Sequence, residues 1–136
     1  MPEARRSRGL LDTSVVIDLE RLDPHVLAIE VAVSAITMAE LAAGPHATTD
    51  PDERARRQDR LQRAEAAFDP LPFDSEASRA YGRVYAAVIG AAGKARGARA
   101  VDLFIAATAC AAGLPLYTRN PDDFCALEKL LDIVSV

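Results

Sequence analysis

Residues 101–113, VDLFIAATACAAG, carry one charged side chain, Asp102, near their start, and otherwise read as a helix that is apolar nearly all round. Such a helix is deeply buried, so the rest of the chain has to supply layers around it. Residues 9–12 read as a short buried strand and 14–21 as a helix ended by LDP. VAVSAI, residues 31–36, reads as a second strand, and TMAELAAG, residues 37–44, as a short helix closed by Gly44. An Arg-rich charged helix spans about 52–68, and PLPF, residues 70–73, is a brief third strand. A long helix covers 75–96, with Ala80, Val84, Ala87 and Ala91 at helical spacing. After the buried helix, LPLYT (114–118) is a fourth strand, residues 120–131 a helix, and DIVSV (132–136) a last strand.

Strands separated by helices imply parallel pairing through crossovers, hence an α/β sandwich. The chain has 136 residues, one ordinary domain spanning 1–136, and its 50% hydrophobic content can bury a core. The net charge of −4 argues against a nucleic acid held by overall charge, while leaving room for a local basic stripe beside an acidic pocket. Cys110 and Cys125 have no metal-type spacing and fit buried, reduced thiols of a cytoplasmic protein. The opening MPEARRSRG has no apolar stretch behind it, since Asp12 and Asp18 interrupt the run. It predicts no signal peptide, and because the longest uncharged run, 103–118, is broken by GLP, no membrane span is expected.

In a parallel sheet, sites form beyond the carboxyl ends of the strands. Four polar stations fall there. Asp12 ends the first strand, where an N-cap is the structural alternative; Thr13 and Ser14 could cap the same helix. Glu40 follows Thr37 at capping-box spacing, so it could serve its own helix. Asp102 opens the buried helix, where the dipole favours a carboxylate. Asn120, Pro121, Asp122 and Asp123 form a helix-start signature, with Asn120 as the expected cap. Several carboxylates converging on one edge would repel without a cation. Hard oxygen donors without Cys or His select Mg²⁺ or Mn²⁺. Such an ion activates water and steadies phosphate charge, which makes phosphodiester hydrolysis the natural chemistry.

LLDTSVVIDL, SAITMAELAAG, AVDLFIAATA and LYTRNPDDF, in that order, resemble the signature of PIN-domain ribonucleases, and most closely the VapC toxins of type II toxin–antitoxin pairs. The resemblance runs from about residue 9 to the C-terminus. It implies a three-layer sandwich with a five-stranded parallel sheet flanked by helices. It also implies a Mg²⁺- or Mn²⁺-dependent endoribonuclease, usually a homodimer, inhibited by a VapB antitoxin. By position, Asp12, Glu40 and Asp102 match the first three family acids, and these would be the metal ligands. Many members carry an acid directly after the TR pair, where this chain has Asn120; Asp123 could supply the fourth carboxylate one turn on. Thr118 resembles the small hydroxyl residue that orients the first aspartate.

A polyanion also needs cations near the acidic pocket. Lys94, Arg96 and Arg99 precede Asp102 in GKARGARA, and Arg119 adjoins the fourth station. Arg79 and Arg83 on the long helix read as ordinary solvated surface. The helix over 52–68 reads as a solvated helix with Leu61, Ala64 and Phe68 on one packed face, or else as one wall of a partner groove. Competing classes fit less well. A receiver domain would want paired acids after the first strand and a lysine after the last strand. An aspartate-nucleophile phosphatase would want an acid where Ser14 stands. A non-catalytic RNA-binding or interaction module with the same fold is the alternative from a different class, and metal-dependent cleavage separates it from the enzyme.

Overall fold

The computed structural model describes residues 4–91 and 99–136. Four parallel strands, β1 (Arg8–Leu11), β2 (Glu30–Val33), β3 (Leu116–Thr118) and β4 (Ile133–Ser135), form one sheet in the order β2-β1-β3-β4. Five α-helices surround it: α1 (Thr13–Ile17), α2 (Ala35–Ala43), α3 (Pro51–Ala67), α4 (Ser75–Gly90) and α5 (Ala100–Ala112). Successive side chains of a strand face opposite layers, and the sheet obeys this. Leu10 and Leu116 join a core with Ala80 and Val84 of α4 and Ile105 of α5. Leu11 and Tyr117 join another with Val15 of α1, Leu41 of α2 and Ala64 of α3. The three layers are therefore α4 and α5, the sheet, and α1 to α3.

The sheet has four strands where the sequence predicts five. Residue 71 makes only a single parallel bridge to Ser34, through Leu71 N–H to the Val33 carbonyl (2.9 Å) and Ala35 N–H to the Leu71 carbonyl (2.8 Å). Pro70 and Pro72 flank it, and proline has no N–H with which to extend a ladder. The first helix is also shorter than expected: α1 ends at Ile17, and a 3-10 turn, Leu19–Arg21, follows. α2 starts two residues earlier than the pattern suggested, because Ser34 caps it by accepting from Thr37 N–H (3.0 Å). The helix expected over 120–131 is a 3-10 helix, Pro121–Leu127. α4 ends at Gly90; the rest of its expected span, with Lys94 and Arg96, lies outside the described residues.

α5 matches its sequence. Residues 105–109 are all buried, and five consecutive positions point in every direction around a helix axis. Gly113 ends it with φ +66, a left-handed conformation suited to glycine. Cys110 and Cys125 are half-buried rather than fully enclosed. Among the described residues no helix is long and apolar enough to cross a membrane.

The topology sets the position of the site. From β1 the chain crosses to β2 on one side, and β3 lies on the other, so the strand order reverses between β1 and β3. Asp12 emerges at that reversal, its N–H bonded to the Tyr117 carbonyl at 3.0 Å.

Candidate active site

Asp12 is 4% exposed and is the N-cap of α1. Its Oδ1 accepts from Val15 N–H (3.2 Å) and from the Ser14 hydroxyl (2.5 Å). The expectation that Thr13 or Ser14 could relieve it of capping is corrected here. Both hydroxyls are turned to other tasks, and Asp12 does the capping itself. The Thr118 hydroxyl also lies against the Asp12 carboxylate and favours its charged form. Ser14 and Thr118 use their lone pairs in parallel: Ser14 Oγ accepts from Arg119 N–H (3.1 Å), and Thr118 Oγ1 from Asn120 N–H (3.0 Å). Two hydroxyls thus tie the backbone after β3 to the carboxylate after β1. Burial is the main influence on Asp12 and raises its pKa. The Ser14 and Thr118 hydroxyls and Val15 N–H pull it down, and the charge of Asp102 pushes it up again.

Glu40 lies on α2, and the capping-box alternative fails for it. Ser34 is the cap, and Thr37 is buried inside the helix. The Glu40 carboxylate instead takes a 2.6 Å hydrogen bond from the Thr13 hydroxyl. Thr13 has one proton and gives it to Glu40, so in its 3.1 Å contact with Thr37 the donor is Thr37. Ser34 donates to Thr37 in turn (3.4 Å). A buried row of hydroxyls, Ser34 to Thr37 to Thr13, thus ends on Glu40 with every donor pointing towards its charge.

Asp102 sits in the first turn of α5, 7% exposed. Its Oδ2 accepts from the backbone N–H (3.1 Å) and Nε (3.3 Å) of Arg99, and its Oδ1 from Arg99 Nη2 (3.2 Å). The same Nη2 lies 3.3 Å from Glu40 Oε2. One guanidinium nitrogen therefore stands between carboxylates carried by α2 and α5. Asp102 foremost, then Glu40, raises the pKa of Arg99.

The structure brings together Asp12, Glu40, Asp102, Thr118 and Arg99 from the expected residues. Asp123 lies in the 3-10 helix that follows β3. Its N–H bonds the Asn120 carbonyl (3.1 Å), and no hydrogen bond among the described residues ties its carboxylate to the other acids. Asn120 makes no side-chain cap bond, so its exposed amide is not spent on the helix that follows. Arg119 sends its side chain to Asp18, with Nε 3.3 Å from Oδ2. Arg79 pairs with Glu76 and Arg83 reaches Cys110 Sγ at 3.8 Å, as ordinary surface residues do. Sequence reasoning missed Thr13, Ser14, Ser34 and Thr37 as positioning groups. Three successive side-chain oxygens in Asp12-Thr13-Ser14, at a strand end, were the available signal.

The donor set consists of carboxylate, hydroxyl and amide oxygens, which suits a hard divalent cation. The Arg99 guanidinium supplies a direct check, because its positive charge is already accepted between two of the acids. Among the described residues no three His, Cys, Asp or Glu side chains stand in a closed metal-binding group. A groove of about 520 Å³ lies between α1 and α3, lined by Ile17, Phe68, Glu20, Arg56, Arg60 and Arg63 among others.

The PIN domain family matches residues 9–130. Ribonuclease VapC5 of Mycobacterium tuberculosis is 39% identical over 123 residues, covering 88% of this chain and 87% of that protein. Ribonuclease VapC4 of the same organism is 35% identical over 130 residues, covering 90% and 93%. The crystal structure of VapBC-5 from M. tuberculosis, a member of the VapBC family of toxin–antitoxin systems, superposes with a TM-score of 0.84. It is 36% identical and covers 96% of this chain and 99% of that one.

Proposed function

The chain belongs to the PIN-domain family, and from that premise we propose that it is a metal-dependent endoribonuclease, the toxin of a VapBC-type toxin–antitoxin pair, acting in the cytoplasm. The observation that carries this reading is the set of three oriented carboxylates, Asp12, Glu40 and Asp102, at the reversal of strand order. Each is held from behind by a dedicated donor: Asp12 by Ser14 and Thr118, Glu40 by Thr13, and Asp102 by Arg99 N–H. Purely structural carboxylates would not need three hydroxyls, those of Ser14, Thr118 and Thr13, turned onto two of them.

Asp12 and Asp102, with Glu40, would hold Mg²⁺ or Mn²⁺. When bound, that ion supplies an activated water and neutralises charge on the scissile phosphate. Glu40, fixed by Thr13, takes the proton of the attacking water. The fourth position falls to the Asn120 amide or to the Asp123 carboxylate. Arg119, and Lys94 and Arg96 from outside the described residues, would bind RNA phosphates. We assign the antitoxin to the groove between α1 and α3, and expect the toxin to act as a homodimer.

The test is cleavage of varied RNAs by antitoxin-free protein with Mg²⁺ or Mn²⁺, beside EDTA and Asp12→Asn controls. Cleavage that requires both the ion and Asp12 is expected. No cleavage together with no ion uptake by calorimetry would leave a non-catalytic binding module instead.

A further inference from the structure

Arg99, expected from the sequence to meet RNA phosphates, is seated instead on two of the pocket acids. A cation seated on two of three pocket acids lowers the pull of that pocket on a metal ion. We propose that Arg99 is a resident counter-ion, exchanged for the divalent cation when the pocket loads. This rests on the metal-dependent reading above.

Three observations carry it. First, the guanidinium bridges different elements: Nη2 is shared by Asp102 Oδ1 (3.2 Å) on α5 and Glu40 Oε2 (3.3 Å) on α2. It therefore supplies the attraction that keeps two like charges together. Second, the Arg99 side chain is 63% exposed, while those of Glu40 and Asp102 are 19% and 11% exposed. The guanidinium reaches the acids from the solvent side, and ion pairs so exposed are weak enough to exchange. Third, the neutralisation is incomplete. Asp12 receives only hydroxyls and one backbone N–H, and no cation bonds it among the described residues. A divalent ion held by Asp12 and its neighbours would supply the positive charge that Asp12 does not receive from Arg99.

The exchange needs little motion. The Arg99 backbone N–H keeps its 3.1 Å bond to Asp102 Oδ2 as the side chain swings out, so the start of α5 is undisturbed. The released guanidinium remains at the mouth of the pocket, where a phosphate oxygen is its natural acceptor.

The experiment is a Mn²⁺ titration of the full chain without RNA, followed by electron paramagnetic resonance and calorimetry, in wild type, Arg99→Gln and Arg99→Lys. Removing the competing cation is expected to tighten Mn²⁺ binding by about three- to tenfold in Arg99→Gln. Arg99→Lys, whose compact ammonium cannot fork between two carboxylates, is expected to fall between the two, and it carries the comparison if Arg99→Gln does not fold. The metal-free melting temperature of Arg99→Gln should drop, and Mn²⁺ should restore it. Unchanged or weaker Mn²⁺ binding in the variants, with binding intact in wild type, overturns the exchange alone. Absence of Mn²⁺ binding in wild type overturns the metal-dependent reading with it.

Discussion

Asp12 does two jobs with one carboxylate: Oδ1 caps α1, and the group as a whole faces Asp102. Their conflict has a measurable sign. Burial raises the Asp12 pKa in the fold, so the folded chain binds this proton more tightly than the unfolded chain does. Its contribution to stability is full below the unfolded value and is lost as pH rises through the folded one. Asp12→Asn keeps a capping oxygen and removes the charge. It should abolish cleavage yet stabilise the metal-free protein at neutral pH by about 0.5–2 kcal/mol. Urea denaturation of both proteins at about pH 4 and pH 7 checks this, since the gap between them should widen with pH. At this scale the sequence was legible for the acids, because Asp12, Glu40 and Asp102 all stand where apolar runs hand over to helices. It was not legible for the hydroxyls. Thr13 and Ser14 looked like caps, and only the packing of α1 against α2 and β3 shows what they orient. Nor did composition reveal that Arg99 folds back onto two of the acids.

Among the elements, β1 and β3 approach each other closely at Gly9. A Cβ on Gly9 would lie 2.4 Å from Tyr117 Cε1, and Tyr117 is 2% exposed, with no room to withdraw. Gly9→Ala should therefore cost about 1–3 kcal/mol, as overpacking does. Chemical denaturation would read it, and an unchanged midpoint would mean that the Tyr117 ring repacks freely. Because Thr118 follows Tyr117, the same change should loosen the hold on Asp12 and reduce cleavage beyond what the loss of folded protein explains. Helix boundaries were the least legible feature of the sequence. α2 begins at a Ser that read as strand, and the DDF segment took 3-10 geometry where its capping signature suggested an α-helix. Local signals fix where a turn begins; packing against the sheet decides how tightly it winds.

The whole molecule presents an acidic chain, net −4, to a polyanionic substrate. Binding then depends on few cations near the pocket, so it should be weak and salt-sensitive. Arg119 pairs with Asp18 at the rim and is 38% exposed, close enough to change partner. Arg119→Ala should weaken RNA binding and reduce the slope of log affinity against log salt by about 1. An unchanged slope by fluorescence anisotropy would remove Arg119 from the RNA path. The layered architecture was legible from the alternation of elements, and the buried helix forced it. The missing fifth strand was not, since PLPF has the apolar content of a strand.

That Pro-Leu-Pro segment matters for the company the protein keeps. An uncovered outer strand is a template on which further chains can grow, and a toxin accumulating free of its antitoxin has surface to spare for such growth. Leu71 occupies the carboxyl end of β2 with its single bridge, and the prolines on either side leave the next chain no ladder to continue. The residues that cost the sheet a strand guard this end of it against polymerisation.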